Sequence, residues 1–149
     1  MAHRPNGFHT LTPFLIVENA SAAIDLYKKA LNATEMGRLT APGSDKVMHA
    51  GLTIGDSQLF IADEMPQQGM VAPKGEQAGS RFYVYVEDVD QAHGHATANG
   101  LKEKAPPSDM FWGDRTSVLT DPYGQTWTLA TKQREVSMEE MQQAMMQMA

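Results

Sequence analysis

Residues 11–31 read LTPFLIVENASAAIDLYKKAL, and their hydrophobic period changes from that of a strand to that of a helix. The run that ends at Val17 is short, apolar and partly β-branched, which favours a strand. Ile24, Tyr27 and Leu31 then recur at the spacing of one helix face. The stretch therefore predicts a strand followed by an amphipathic helix.

Three further strands are predicted before the next change of composition. Residues 34–40 are strand-like and are followed by APGSDK, a cluster of turn residues. VMHAGLTI and SQLFIADE then alternate in polarity on either side of Gly55-Asp56, a favoured hairpin dipeptide. Together with the first strand and helix they form a β-α-β-β-β unit over residues 11–64.

The same order of elements returns after residues 65–80, which are rich in Gly, Pro and Gln and are predicted to be a linker. RFYVYV predicts a strand, EDVDQAHGHATANG a helix, LKEKA a short strand, PPSDMFWGD a loop, and RTSVLTD and QTWTLAT two final strands. This second β-α-β-β-β unit spans residues 81–131.

The two units keep a nearly constant offset. Val17 and Val86 are 69 positions apart, and Phe60 and Thr128 are 68 apart. An internal repeat of this kind predicts an α+β fold in one domain over residues 1–149, with two βαβββ repeats that form paired curved sheets around a central cavity. The alternative is that any two α+β halves align at a few positions.

The C-terminal segment carries its own helix signal. Ser137 and Glu140 have the spacing of a capping box and predict a helix over residues 137–148. Its methionines form one stripe, which needs a surface to pack on. That surface is either the chain's own body or a second copy, and we expect a homodimer. The stripe consists of Met138, Met141, Met145 and Met148.

Composition narrows the class of protein. The chain has 149 residues, a formal charge of −6 and no cysteine, so a metal would need His and carboxylate ligands. The negative charge and the lack of a basic cluster argue against nucleic acid and anionic membranes as partners. No signal peptide and no apolar run of membrane-spanning length is recognised, so a cytoplasmic location is expected.

Longer segments resemble a known superfamily. They are TPFLIV with AIDLYKKALNA, KVMHAGLTIGDSQLFIADE, MFWGDRTSVLTDPYGQTWTLAT and SMEEM. With these segments the chain resembles the vicinal oxygen chelate superfamily of glyoxalase I, bleomycin-resistance proteins and extradiol dioxygenases. The FWGDR segment is more specific to the PhnB-like group. HAGL, DPYGQTW and ATK stand where HAEI, DPFGHxW and ATH are frequent in that group, which weakens a transfer of catalytic activity.

The resemblance implies four metal-ligand positions, which here correspond to Thr12, Phe60, Arg81 and Thr128. Phe60 has no donor atom, and Arg81 carries a positive charge that repels a cation. No cofactor is therefore predicted, and a divalent metal is disfavoured. His49 with Asp63 or Glu64 is the remaining arrangement that can form an unrelated metal site.

Strand alternation gives the candidate ligand-binding surface. If Thr12 faces the cavity, Phe14 and Ile16 face it too, whereas Leu15 and Val17 pack under the helix. The same alternation applied to every strand predicts an aromatic-lined pocket with hydrogen-bonding groups, and Trp112 is placed as a lid or an interface anchor. The predicted ligand-binding residues are Thr12, Phe14, His49, Phe60, Arg81, Tyr83, Tyr85, Trp112 and Thr128.

Three functions fit this pattern. The first is a metal-free protein that binds an aromatic or amphipathic small molecule through stacking and through Arg81. The second is a lyase, isomerase or dioxygenase, either metal-dependent or with His49 as the catalytic acid or base; the alternative role for His49 is a structural hydrogen bond or a sheet-edge position. The third is a regulatory or structural dimer. His93 and His95 are expected to face solvent, and Trp127 to lie in the core.

Overall fold

The computed structural model describes residues 3–74 and 79–148. Residues 75–78 belong to the predicted linker, so that part of the linker lies outside the described residues. In chain order the elements are β1 (Phe14–Val17), α1 (Ala20–Ala30), β2 (Thr34–Thr40), β3 (Val47–Ile54), β4 (Ser57–Asp63), a short 3₁₀ helix (Pro66–Gln68), β5 (Phe82–Tyr85), α2 (Val89–Ala98), β6 (Lys102–Asp109), β7 (Asp114–Thr120), β8 (Thr126–Lys132) and α3 (Met138–Met148).

The strands form two four-stranded mixed sheets with the same topology. One has the order β1-β4-β3-β2 and the other β5-β8-β7-β6. In each sheet the first strand is parallel to the fourth, and the remaining neighbours are antiparallel. This confirms the predicted α+β fold with two βαβββ modules.

The described residues divide into two compact units. Among the described residues, the first unit comprises 3–74 with Asp121–Gln125, and the second comprises 79–120 with 126–148. Each module thus has its own sheet and helix. The DPYG turn between β7 and β8 groups with the first unit, although the strands that flank it belong to the second.

In the first unit α1 packs on one face of its sheet. Leu15 and Val17 of β1 are buried, as the alternation predicted, and they lie on the side of Ile24 and Tyr27. The Asn19 side chain caps α1 by accepting a hydrogen bond from the Ala22 backbone N–H, 3.2 Å. The helix is therefore fixed to the sheet by its apolar face and capped at its first turn.

Two carboxylates hold the connections of this unit. Buried Asp63 accepts hydrogen bonds from the backbone N–H groups of Ala20 (2.9 Å) and Val47 (2.7 Å). It thereby joins the start of α1 to the start of β3. Asp121 accepts the phenol proton of Tyr27 at 2.6 Å, which ties the DPYG turn to α1. Each carboxylate thereby accepts hydrogen bonds from donors of buried residues.

The second unit also has a helix packed on its sheet, but one of its buried residues differs from the prediction. Trp127 is 1% exposed and lies in the core, as predicted. The solvent-facing position expected for His93 is wrong, because His93 is buried and its Nε2 lies 2.6 Å from Oε1 of Glu103 on β6. Small neighbours of His93 in the sequence suggested an exposed helix face, but the ring packs on the sheet side of α2 and has a carboxylate partner there.

A second correction concerns β6. PPSDMFWGD was predicted to be a loop, yet β6 continues through Pro106 and Pro107 to Asp109. Proline can occupy an edge strand or a bulge, where its missing N–H breaks no ladder bond. β6 is the edge strand of its sheet, and its register with β7 is irregular between Ala105 and Ser108, where the two prolines lie.

The C-terminal helix α3 begins at the predicted capping box. The Ser137 hydroxyl accepts the backbone N–H of Glu140 at 3.1 Å and lies 3.3 Å from the Glu140 carboxylate. None of the α3 residues is buried, and α3 packs on no other helix or strand of its own unit among the described residues. Met138, Met145 and Met148 of the methionine stripe are therefore exposed, and Met141 is partly exposed.

Candidate functional site

An aromatic cluster lies on the face of the first sheet that points away from α1. It consists of Phe8, Phe14, His49 and Phe60, and the name aromatic cluster refers to these four residues. Their ring centroids are 4.6 Å apart for His49 and Phe60, 5.6 Å for His49 and Phe14, 5.9 Å for Phe14 and Phe60, and 5.6 Å for Phe8 and Phe60. Tilted and edge-on contacts at these distances are favourable between aromatic rings.

The strand register brings these rings together. Phe14 of β1 is paired with Phe60 of β4, and Gly51 of β3 is paired with Phe60 from the other side. His49 lies two residues before Gly51 and therefore on the same face of the sheet. The three strands thus place Phe14, Phe60 and His49 side by side, and Phe8 joins them from the segment before β1.

His49 is partly exposed and is not at a sheet edge, because β3 lies between β2 and β4. Within the described ranges its ring contacts Phe14 and Phe60, and neither ring nitrogen has a hydrogen-bond partner. The sheet-edge and hydrogen-bonded alternatives for His49 are therefore wrong for the described chain. Its nitrogens are free to bond water or a ligand.

Gly51 leaves room for a neighbouring side chain on the same face. A Cβ atom at this position would lie 2.8 Å from the terminal methyl of Met36. Met36 is 47% exposed and flexible, so it can move aside at little cost. Gly51 stands where the resemblance suggested a glutamate, and the side chain of Met36 lies across it.

The second unit carries a different group of polar aromatic residues, the phenol cluster of Tyr83, Tyr85, Trp112 and Asp114. The hydroxyl groups of Tyr83 and Tyr85 both donate to Oδ2 of Asp114, at 2.6 and 2.9 Å. The indole N–H of Trp112 donates to the hydroxyl oxygen of Tyr83 at 3.2 Å. Asp114 is buried, whereas Tyr83 and Tyr85 are exposed.

These contacts alter the acidity of the phenols. Burial, followed by the hydrogen bond to Asp114, raises the pKa of Tyr83 to about 12. The hydrogen bond to Asp114, followed by burial, also raises the pKa of Tyr85. A carboxylate beside a phenol disfavours the phenolate, since both would be negative. Both tyrosines therefore keep their protons at neutral pH and act as donors to Asp114.

The predicted ligand-binding residues divide between the two units. Thr12 and Arg81 precede β1 and β5 rather than lying in them, which corrects the predicted strand starts. Thr128 is buried and is paired in register with Tyr83. The first unit holds Thr12, Phe14, His49 and Phe60, and the second holds Arg81, Tyr83, Tyr85, Trp112 and Thr128.

Two residues of these clusters were not predicted. Phe8 lies in an N-terminal segment without strand or helix period, so no pattern indicated its contact with Phe60. Asp114 stands within FWGDR and was assigned to a loop, although it is the first residue of β7. The sequence did contain a signal for Asp114. It is a carboxylate directly before an alternating strand, and the first strand of the same unit has two tyrosines on one face.

The residues at the implied metal positions do not fit a metal ion. Phe60 packs its ring against His49, and Thr128 is a neutral hydroxyl beside Tyr83. Among residues 3–74 and 79–148, no three His, Asp or Glu side chains are grouped as a metal site requires. Asp63, one of the partners considered for His49, instead holds two backbone N–H groups.

Two βαβββ modules, each with a mixed four-stranded sheet, define the architectural class of the chain. Its sequence matches the Glyoxalase/Bleomycin resistance protein/Dioxygenase superfamily over residues 7–129. The chain belongs to this superfamily.

Its relatives include uncharacterised proteins of mycobacteria and plants. It is 37% identical over 139 residues to a Mycobacterium bovis protein, a match that covers 91% of each chain. A Mycobacterium tuberculosis H37Rv protein is also 37% identical, with 91% of this chain and 81% of that protein covered. An Arabidopsis thaliana protein is 26% identical, with 87% and 83% covered.

Solved structures share the fold. TioX from Micromonospora sp. ML1 has a TM-score of 0.68 and 22% identity, with 83% of this chain and 98% of TioX covered. PA1353 from Pseudomonas aeruginosa has a TM-score of 0.66 and 25% identity, with 85% and 99% covered. In the part of the chain that is described, no helix has the length and apolar character needed to cross a membrane.

Proposed function

We propose that this chain is a metal-free small-molecule-binding protein of the PhnB-like group that holds an aromatic or amphipathic organic ligand. The aromatic cluster carries the proposal. It places three phenyl rings and one imidazole on the open face of a sheet, with the imidazole nitrogens unbonded among the described residues. A planar ligand can stack on these rings and accept or donate one hydrogen bond at His49.

Exposure supports a binding role over a purely structural one. Phe14 is 45% exposed even though its ring contacts both His49 and Phe60. Burying the exposed part of one such ring against a ligand would contribute about 1 to 2 kcal/mol. An acid–base role for His49 would need a carboxylate or hydroxyl to orient the ring, and no described residue is bonded to it. Binding therefore explains the cluster with fewer requirements than catalysis.

We also propose that the chain forms a homodimer in which α3 is covered. Met138, Met145 and Met148 are 78%, 49% and 62% exposed. An apolar helix stripe of this kind is usually covered by protein. A second copy of the chain is the natural partner, because other copies are present wherever the protein is.

The test of the binding proposal is a screen of aromatic carboxylates, amines and neutral ring compounds by thermal melting and isothermal titration. A true ligand raises the melting temperature in proportion to the logarithm of its concentration, and binding is expected to persist in EDTA. Phe60→Leu, which removes the ring but keeps apolar bulk, is expected to weaken binding about tenfold.

Phe82→Leu is the matched control, since Phe82 packs on Trp127 in the second unit rather than in the aromatic cluster. It should lower the melting temperature without changing the dissociation constant. The proposal is wrong if no compound in the screen binds, or if Phe60→Leu and Phe82→Leu bind a compound equally well.

A further inference from the structure

The hydroxyl protons of the phenol cluster point inward. Tyr83 and Tyr85 each give their single hydroxyl proton to Asp114, at 2.6 and 2.9 Å. A phenol that donates its proton keeps only lone pairs for other partners. Trp112 uses one lone pair of Tyr83 at 3.2 Å, and the Tyr83 hydroxyl in turn interacts with the oxygen of Tyr85. The exposed oxygen of Tyr85 therefore accepts hydrogen bonds.

The phenol cluster also carries a negative charge, that of Asp114. Asp114 is 5% exposed and has no salt bridge to any described residue. The two basic residues on β7 and β8 near Asp114 form ion pairs with other carboxylates. Lys132 is bound to Glu135, and Arg115 is bound to Asp90 at 2.9 Å and to an aspartate on β6 at 3.1 Å. Lys132 lies close enough for Asp114 to raise its pKa, but the groups bonded to the Asp114 carboxylate are the two phenols.

The aromatic surface around this charge is open. Tyr85 is 64% exposed and Tyr83 45%, with ring centroids 5.3 Å apart. Trp112, which is half-buried, stands edge-on to Phe111 at 5.0 Å. The faces of such rings attract a cation, and the attraction is strongest for indole. Aromatic faces, acceptor oxygens and a buried carboxylate thus lie together in one unit.

We infer that the phenol cluster binds an organic cation, a protonated or quaternary ammonium group of a small molecule. The inference goes beyond the proposed function, whose aromatic cluster lies in the first unit, and gives the second unit a ligand chemistry of its own. An anionic ligand would face acceptor oxygens and the charge of Asp114. Its natural partner would instead be Arg81, which precedes β5, is exposed and has no described ion-pair partner.

The pKa shifts of the cluster agree with this arrangement. Asp114 adds to the rise in the pKa of Lys132, although the bond to Glu135 is the larger cause. The same carboxylate contributes to the rise in the pKa of Tyr85. The charge of Asp114 therefore acts on groups at the surface, where a bound ammonium group would also be placed.

The experiment is an NMR titration of the full chain at constant ionic strength with three probes of similar shape. They are benzyltrimethylammonium, 3-phenylpropionate and benzyl alcohol. The ammonium probe is expected to bind about tenfold more tightly than the neutral one, with shifts centred on the amides of Asp114 and Tyr85. Asp114→Asn keeps an acceptor but removes the charge, and it is expected to abolish this preference.

Two further variants separate binding from folding. Tyr85→Leu removes an exposed ring and one donor to Asp114 and should weaken the ammonium probe about fivefold, while the amide spectrum shows that the chain remains folded. Asp109→Asn is the matched control, because it removes an exposed carboxylate that is bound to Arg115 and lies outside the cluster. It should leave binding of the ammonium probe unchanged.

The outcomes distinguish this inference from the proposed function. Tighter binding of 3-phenylpropionate, lost in Arg81→Ala, would overturn the cation site but leave a small-molecule-binding protein. Equal binding of all three probes, or equal effects of Asp114→Asn and Asp109→Asn, would do the same. If no probe binds and the aromatic screen also fails, the proposed function itself is wrong.

Discussion

Gly113, within the FWGDR segment, is held by two constraints. Its φ of +102° lies in the region that favours glycine, and a Cβ atom there would lie 2.4 Å from the backbone oxygen of Arg134. The carbonyl of Gly113 also accepts the backbone N–H groups of Gln133 and Arg134, at 2.9 and 3.3 Å. The chain after β8 thus runs directly over this glycine, and neither backbone can give way easily.

We expect Gly113→Ala to lower the free energy of unfolding by about 2 to 4 kcal/mol, because it combines a strained φ with a backbone clash. Gly94→Ala is the control, since Gly94 lies in α2 with open space around its Cα. That substitution should raise stability by about 0.5 to 1 kcal/mol through helix propensity. Urea unfolding measures both, and a Gly113→Ala loss below that of ordinary surface substitutions would contradict the structural account.

The sequence predicted which face of the sheet a strand residue occupies better than it predicted which residues it contacts. Period-two alternation placed Leu15 and Val17 under α1 and His49 on the opposite face, because one buried face leaves no other register. The prediction that His93 faces solvent was wrong. Its partner Glu103 lies on β6, and the residue pattern of the helix does not show where β6 packs. The role of Asp114 depends in the same way on two tyrosines that are distant in sequence.

At the scale of elements, turn residues and periodicity were sufficient for the order of strands and helices. The prolines of β6 were the exception, because their effect depends on whether a strand is at the edge of a sheet. Sequence alone does not give that position until the sheet order is known. The helix α3 shows the converse case, since local capping chemistry predicted it although it packs on no other element of its unit.

The open position of α3 leads to a prediction about assembly. The helix has 11 residues, and isolated helices shorter than about 12 to 15 residues are marginal in water. We expect the chain to sediment as a dimer, and the double variant Met145→Gln with Met148→Gln to shift it toward the monomer. Glutamine keeps the helix propensity of methionine but not its apolar surface.

Gln143→Ala with Gln147→Ala is the control, because both positions are exposed and lie on the helix face opposite the methionine stripe. Sedimentation velocity over a range of concentrations measures all three proteins. A chain that remains monomeric throughout, or a dimer that the methionine changes leave intact, would show that α3 is not the dimer contact.

At the scale of the whole molecule, stability is expected to fall at both ends of the pH range for different reasons. In the first unit Glu35 bonds Arg38 at 2.6 and 3.0 Å and Lys28 at 2.9 Å. The hydrogen bond from Arg38 is the largest cause that lowers the pKa of Glu35 from 4.5 to about 2. In the second unit the pKa of Tyr83 is raised from 10.0 to about 12.

The signs follow from linkage. Glu35 binds its proton more weakly when folded, so its contribution is complete above pH 4.5 and is lost as the pH falls toward 2. Tyr83 binds its proton more tightly when folded, so its contribution is complete below pH 10 and is lost as the pH rises toward 12. Glu35 therefore contributes to the acid limb from the first unit, and Tyr83 contributes to the alkaline limb from the second.

We expect Glu35→Gln to lower the free energy of unfolding by about 1 to 2 kcal/mol at neutral pH, because solvent screens part of the ion-pair energy, and to flatten the acid limb, while the alkaline limb is unchanged. Tyr83→Phe should flatten the alkaline limb only. The measurement is urea unfolding from pH 2 to 12, followed by resolved amide signals of each unit. Glu87→Gln is the control for loss of one exposed carboxylate. If Glu35→Gln and Glu87→Gln give the same acid limb, the Arg38 and Lys28 contacts do not set the stability of the first unit, because a stabilising ion pair must be lost on protonation.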